Sequence, residues 1–130
     1  MHELRVADDI IRARLAARDL VRAAGLRLMD QTRFATAVSE LGRNAVRYAV
    51  GGECVLSDLS DALQIRLQAR VSDRGPGIAD IDQALTDGYS TGGSLGAGLP
   101  GTRRLVDVFE IQSSPVGTCV TIQLVRARRP

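Results

Sequence analysis

The first half of the chain contains two stretches in which apolar residues recur every three or four positions, the period of an amphipathic helix. The first stretch begins at a cap on Asp8 or Asp9 and ends at Gly25. The second runs from a cap on Asp30 to about Val50. The apolar positions are Ile10, Ala13, Ala17, Val21 and Ala24 in the first stretch and Phe34, Val38, Leu41, Ala45 and Ala49 in the second. Each predicted helix therefore has one apolar side that needs a flat partner.

Strand patterns in the second half of the chain supply that partner. Residues 63–71, LQIRLQARV, alternate apolar and polar side chains, which is typical of a strand covered on one face. The preceding CVLSDL forms a hairpin with this strand, and a second hairpin, about residues 109–114 and 118–125, turns at Pro115 and Gly117. A short strand at residues 3–7, a short helix near residues 80–87 and a helix containing TRRLVDVF complete the pattern.

These elements predict an α+β fold, a two-layer α/β sandwich with helices on one face of a mixed, mostly antiparallel sheet. A chain of 130 residues is long enough for one core, so we expect a single domain over residues 1–130. We find no leader and no long apolar segment, and we expect a cytoplasmic protein with no membrane partner. The net charge of +2 is too small and too evenly spread to indicate a nucleic-acid partner.

The composition also excludes several kinds of chemistry. All 17 basic residues are arginine, and without lysine the chain can form neither a Walker A loop nor a eukaryotic-type protein kinase site. The single histidine, His2, lies at the terminus, so a catalytic triad has no good base. Cys54 and Cys119 stand in apolar surroundings and are expected to be buried, reduced thiols rather than zinc ligands.

Residues 96–101 read GAGLPG, which matches the dinucleotide-binding pattern G-x-G-x-x-G. The context does not match, because no strand precedes the glycines and no acidic residue follows Glu110 to bind a ribose. Six glycines between Gly88 and Gly101 instead permit close approach to a ligand, and a helix beginning near Leu99 favours phosphate at its amino end. A mobile surface loop is the alternative interpretation of this segment alone.

Two further segments carry candidate chemistry. SELGRNAVRYA places Glu40 and Asn44 four residues apart on one helix face, a carboxylate and an amide oxygen that suit phosphoryl transfer with Mg²⁺. In VSDRGPGI, Asp73 ends a strand before glycines, where a carboxylate can accept a hydrogen bond from an adenine amino group. Solvated surface side chains and an ordinary turn remain the alternatives for either segment taken alone.

The order E-x-x-x-N, D-x-G-x-G and a glycine-rich lid ending in G-x-G resembles the Bergerat ATP-binding fold shared by gyrase, heat-shock chaperone ATPases, histidine kinases and MutL (GHKL). The resemblance covers about residues 3–125. Within that superfamily, SELGRNAVRYA, DRGPGIADI and GYSTGGSLGAGLPGTRRLVD are similar to the small bacterial serine protein kinases of the stressosome that control sigma factors. The resemblance implies ATP and Mg²⁺ as cofactors.

The resemblance also implies residue roles. Glu40 is the catalytic base or orienting acceptor, Asn44 ligates Mg²⁺, and Asp73 binds the adenine amino group. Residues 89–94 form the lid. The other implied nucleotide contacts are Gly75, Gly77 and Ile78 beside the adenine, Gly96, Gly98 and Leu99 beside the phosphates, and Thr118 beside Asp73.

The implied substrate is a serine on a STAS-domain antagonist protein, and a PP2C-type phosphatase is a second implied partner. The alternative is a nucleotide-dependent binding switch, an anti-sigma factor or phosphatase activator, in which partner exchange outweighs chemistry. Related kinases carry a lid arginine that this chain lacks, which leaves Arg43, Arg74, Arg103 and Arg104 as candidates to neutralise the γ-phosphate. Leu95 and Leu99 are expected to be exposed at a partner surface.

Overall fold

The structure, a computed structural model, describes residues 1–48, 51–74 and 98–128. The elements in chain order are β1 (His2–Leu4), α1 (Ala7–Ala23), α2 (Leu28–Tyr48), β2 (Gly52–Asp58), β3 (Gln64–Asp73), α3 (Gly98–Leu105), β4 (Val108–Ser114) and β5 (Gly117–Ala127). The strands form one sheet in the order β1-β2-β3-β5-β4, and every pairing among them is antiparallel. The predicted α+β sandwich is therefore confirmed.

The core lies between one face of the sheet and the helix layer. Side chains alternate across each strand, so one set faces the helices and the other faces solvent. The buried set in the central strands is Ile65, Leu67, Ala69 and Val71 in β3 and Val120, Ile122 and Leu124 in β5. On the open face, the Gln123 amide donates to Gln68 Oε1 at 2.8 Å and accepts from Arg66. The alternation read from residues 63–71 thus identified the buried face of β3 correctly from Ile65 to Val71, whereas Leu63 precedes the strand and is exposed.

The helices pack closely because their contact faces carry small side chains. In α1 the buried residues are Ala13, Ala17 and Val21, and α1 lies directly against α2. Phe34, Val38, Leu41 and Ala45 of α2 are all almost fully buried. Gly25 has a φ of +83°, a left-handed conformation that favours glycine and ends α1 as predicted.

Both predicted amino-terminal caps are displaced by two or three residues. Helix α1 begins at Ala7, and Asp9 accepts hydrogen bonds from the backbone N–H groups of Arg5 and Val6 from inside the first turn. These bonds lower the pKa of the Asp9 carboxyl. Helix α2 begins at Leu28, so Asp30 also lies in a first turn. A carboxylate stabilises the positive end of a helix both from the cap position and from the first turn, so the sequence pattern did not distinguish these two positions.

Two other expectations differ from the structure, and a third lies outside the described residues. The helix containing TRRLVDVF ends at Leu105, because Val108 and Phe109 already pair with β5 in strand β4. Cys54 is buried, and burial raises its pKa to about 11, whereas Cys119 is half-buried on the open face of the sheet. Both are free thiols. The helix predicted near residues 80–87 lies outside the described residues, and among the described helices none is long and apolar enough to cross a bilayer.

Arg126 joins three elements at one end of the molecule. Its guanidinium binds Asp30 of α2 at 2.8 Å and Asp107, which precedes β4, at 2.7 Å. Asp107 also accepts a hydrogen bond from the Val125 N–H at 2.8 Å. The Arg126 side chain is 31% exposed and that of Asp30 only 17%, so these ion pairs are less screened than those on the open surface.

We expect Arg126→Ala to lower the free energy of unfolding by about 1–2 kcal/mol, because it leaves the sheltered Asp30 carboxylate without its cation. Arg22→Ala is the matched control, since Arg22 pairs with Asp19 where both side chains are more than half exposed. The control should change stability by less than about 0.5 kcal/mol. Urea denaturation of the two variants measures the difference, and equal losses would contradict this account of Arg126.

Candidate active site

The candidate residues converge on one end of the sheet, opposite Arg126. Asp73, the last residue of β3, pairs with Gly52 of β2 on one side and Thr118 of β5 on the other. Helix α2 ends at Tyr48, four residues before Gly52, so its last turns lie at the same end of the sheet. The carboxyl-terminal half of α2, which carries Glu40 and Asn44, therefore runs toward the end of the sheet that carries Asp73.

Glu40 is a buried carboxylate with a defined partner. Its side chain is only 10% exposed, although a glutamate on a helix is usually solvated. Arg43, one turn later on α2, donates a hydrogen bond from its Nη1 atom to Glu40 Oε1 at 2.5 Å. The Arg43 side chain is 52% exposed, so the guanidinium covers the carboxylate from the solvent side. The pair fixes the orientation of Glu40 and leaves Oε2 without a hydrogen bond to any described residue.

Asn44 shares this helix face, because residues 40, 43 and 44 are spaced by three and four positions. Its side chain is half-buried and makes no hydrogen bond within the described residues. An amide oxygen is a ligand that Mg²⁺ accepts, and Mg²⁺ usually takes one or two protein oxygens while substrate phosphates and water supply the rest. The described residues contain no cluster of three or more His, Cys, Asp or Glu that could hold a metal alone. Asn44 therefore fits an ion that arrives with a phosphate ligand.

Asp73 belongs to a polar row that crosses three strands. Thr118 donates its backbone N–H to Asp73 Oδ1 at 3.1 Å, and the Thr118 and Ser113 hydroxyls lie 3.0 Å apart. The register places Asp73 opposite Thr118 and Thr118 opposite Ser113. Burial raises the pKa of Asp73, and the hydrogen bond from Thr118 opposes part of this shift. Oδ2 of Asp73 has no partner among the described residues and is available to accept a hydrogen bond.

Two glycines flank Asp73 because the backbones approach too closely for a side chain. A Cβ on Gly117 would lie 2.2 Å from the Asp73 carbonyl oxygen. A Cβ on Gly52 would lie 2.2 Å from the Ser72 carbonyl oxygen. Both contacts are far shorter than van der Waals distance, so glycine is required on each side of the strand end that carries the carboxylate.

Helix α3 begins within one residue of the predicted position. It starts at Gly98, and Pro100 lies in its first turn, where a proline costs no hydrogen bond. The helix packs against α2, which carries Glu40 and Asn44. Leu99 is half-buried and packs against the core, so the expectation that it is exposed at a partner surface was wrong.

The remaining predicted site residues lie outside the described part of the chain. They are Gly75, Gly77, Ile78, Gly96, the lid at residues 89–94 and Leu95. Sequence reasoning missed the roles of two described residues, the ion pairing of Arg43 with Glu40 and the contact of Ser113 with Thr118. The first had a signal in the spacing of three positions on a helix. The second depends on the pairing of β4 with β5 and had no local signal.

Comparisons with known proteins identify the family of this chain. Residues 5–124 match the model of the histidine kinase-like ATPase domain family. The serine/threonine-protein kinase RsbT of Bacillus subtilis is 41% identical over 118 residues, which are 91% of this chain and 88% of that protein. The virulence sensor protein BvgS of Bordetella bronchiseptica is 36% identical over 114 residues, but the chain covers only 9% of its length.

Solved structures show the same fold at low sequence identity. The catalytic domain of the histidine kinase ThkA superposes with a TM-score of 0.57 at 16% identity, over 98% of this chain and 97% of that one. The mycobacterial sensor histidine kinase MprB gives a TM-score of 0.56 at 18% identity, over 77% of this chain and 74% of that one. The family match over residues 5–124 and the close relative together show that the chain belongs to the histidine kinase-like ATPase family, in the branch of serine/threonine protein kinases that RsbT represents.

Proposed function

We propose that this kinase transfers the γ-phosphoryl group of Mg·ATP to a serine of a STAS-domain protein and so acts as a switch in a stress or sigma-factor pathway. The observation that carries the proposal is the sheltered Glu40 carboxylate, which pairs with Arg43. Glu40 lies one turn from Asn44 on α2, and α2 runs toward the end of the sheet that carries Asp73. Similarity to RsbT supports a protein substrate, since that relative is a serine/threonine-protein kinase.

The proposed binding site divides between adenine and phosphates. Asp73 Oδ2 accepts a hydrogen bond from the adenine amino group, and Thr118 lies next to it. Gly75, Gly77 and Ile78 line the adenine, while Gly96, Gly98 and Leu99 lie beside the phosphates. Because α3 begins at Gly98, its free amides and positive end favour phosphate there.

In the proposed reaction the serine hydroxyl oxygen attacks the γ-phosphorus in line with the departing ADP. A bond forms from the serine oxygen to phosphorus, and the bond to the β–γ bridging oxygen breaks. Glu40 orients the hydroxyl and accepts its proton through Oε2. Asn44 would hold Mg²⁺ together with the phosphates, and the bound ion would supply charge neutralisation. Most of the rate comes from positioning, which the Arg43–Glu40 pair provides before substrate arrives.

Arg43 is a stronger candidate than Arg103 or Arg104 for the charge normally supplied by a lid arginine. Its guanidinium pairs with Glu40, which lies one turn earlier on the same helix, and its side chain is half exposed. Arg103 and Arg104 lie instead in the last turn of α3, away from the phosphate-binding amino end of that helix. We therefore assign neutralisation of the γ-phosphate to Arg43.

The second proposed partner of the switch is a PP2C-type phosphatase.

Glu40→Gln should lower kcat for phosphoryl transfer at least about 100-fold, because the amide cannot accept the serine proton. The Kd for ATP should change less than about threefold, since Glu40 does not bind the base. Glu110→Gln, on the exposed face of β4, is the matched control and should leave kcat unchanged. Phosphoryl transfer to a STAS protein from the same genome measures kcat for the two variants, and a titration with ATP measures Kd. Undiminished transfer in Glu40→Gln would exclude the base role of Glu40, whereas a wild-type protein that binds ATP and its partner without transferring phosphate would favour the binding switch.

Asn44→Ala should weaken ATP binding at least about tenfold in the presence of Mg²⁺ and have little effect when Mg²⁺ is chelated. Thr36→Ala, an exposed position on the same helix, provides the control. Calorimetric titration with ATP in both conditions separates the two effects. Equal weakening with and without Mg²⁺ would remove Asn44 from the metal.

Asp73→Asn should abolish adenine recognition while preserving the fold. The Asn oxygen still accepts the Thr118 N–H, but its amide group donates toward the adenine amino group instead of accepting, so ATP affinity should fall at least about tenfold. Because the pKa of Asp73 is raised in the folded state, its ionised form costs stability above the unfolded value of 3.8, and that cost disappears as the pH falls below it. Asp73→Asn should thus be at least as stable as the wild type at pH 7 in thermal denaturation. A large loss of stability would assign Asp73 to the fold instead.

A further inference from the structure

We propose that Ser113 is a positioning residue that sets the preference for adenine over guanine by orienting the Thr118 hydroxyl. The inference rests on the proposed nucleotide site at Asp73. Ser113 lies on β4, the strand farthest from β2 in the sheet order, and no sequence motif includes it.

The helix-facing sides of three strands change from apolar to polar at the same level. In β3 the series is Leu67, Ala69, Val71 and then Asp73. In β5, running the other way, it is Leu124, Ile122, Val120 and then Thr118; in β4 it is Phe109, Ile111 and then Ser113. The register aligns Asp73, Thr118 and Ser113 directly across the sheet. The core therefore ends in a row of one carboxylate and two hydroxyls.

Direct contacts connect this row. The Ser113 and Thr118 hydroxyl oxygens are 3.0 Å apart, a hydrogen-bond distance, and the Thr118 N–H donates to Asp73 at 3.1 Å. Thr118 is only 9% exposed, so its hydroxyl has few alternatives to Ser113. Gly117 permits the close approach of this backbone to Asp73, since a Cβ there would lie 2.2 Å from the Asp73 carbonyl oxygen.

The direction of the Ser113–Thr118 hydrogen bond decides what the site offers to a base. A hydroxyl has one hydrogen, so Thr118 can donate to a ligand or its bound water only when Ser113 is the donor in the pair. Adenine presents an amino donor beside the N1 acceptor, and it matches an Asp73 acceptor beside a Thr118 donor. Guanine presents the opposite pattern, a carbonyl acceptor beside an N–H donor. Its acceptor would face the Asp73 acceptor and its donor would face the Thr118 donor.

Ser113→Ala removes this control. Thr118 then loses the hydrogen bond that fixes its hydroxyl, and we expect ATP affinity to fall about five- to tenfold while GTP affinity stays within about twofold. The value of kcat at saturating ATP should not change, because Ser113 does not contact the phosphates. Ser113→Thr restores a hydroxyl at the same place and should recover most of the ATP preference. Calorimetric Kd values for ATP and GTP, with kcat, give the three readouts.

Ser114→Ala is the matched control, because the Ser114 hydroxyl is exposed and bonds only the Val116 N–H in the adjacent turn. A fall in ATP and GTP affinity by the same factor, or unchanged ATP affinity in Ser113→Ala, would overturn the inference. Asp73→Asn distinguishes failure of the proposed nucleotide site from failure of the proposed role of Ser113. If Asp73→Asn leaves ATP binding intact, the proposed site itself is wrong; if it abolishes binding while Ser113→Ala has no effect, only the role of Ser113 is wrong.

Discussion

The pairing of β3 with β5 is the constraint on which both the core and the candidate site depend. The two strands pair without interruption from Gln64 opposite Ala127 to Asp73 opposite Thr118. Because side chains alternate across a strand, a shift of one residue would turn the buried leucines and valines to solvent and the glutamines into the core. The same shift would separate Asp73 from Thr118. Hydrophobic burial thus enforces the register that assembles the polar row, and the site obtains its geometry from the core without a dedicated scaffold.

On α2 the chemistry is arranged by the helix alone. Glu40, Arg43 and Asn44 lie within little more than one turn, and the helix repeat sets their spacing whatever the rest of the chain does. The tertiary structure contributes burial, which shelters the Glu40 carboxylate from water while Arg43 remains half exposed. An ion pair in that setting is screened less than one on the surface. The candidate site therefore combines two groups of residues. The group on α2 is set by the local helix repeat, whereas the group around Asp73 forms only when strands that are distant in sequence pair.

That difference explains how far the sequence could predict this protein. Periodicity identified α1, α2 and the buried face of β3, since each is a local repeat of apolar residues. It placed the Asp9 and Asp30 caps incorrectly, because a carboxylate stabilises the start of a helix both as a cap and within the first turn. It also extended α3 into β4, because a short apolar run is compatible with a helix and with a strand. The motifs assigned site roles to Glu40, Asn44 and Asp73, and these assignments stay predictions. The burial of Glu40, the packing of Leu99 and the contact between Ser113 and Thr118 depend on neighbours distant in the chain, and no local pattern contains them.

The glycines beside Asp73 also determine where this site can change during evolution or design. Gly52 and Gly117 leave no room for any side chain, so two of the positions nearest the carboxylate cannot be varied without moving a backbone. Asp73 and Thr118 are tied to each other by a backbone hydrogen bond. Ser113, on β4, instead contacts Thr118 through its side-chain hydroxyl. Libraries aimed at new nucleotide analogues would accordingly gain most from diversity on that outer strand, where substitutions can change the site without disturbing the central pair of strands.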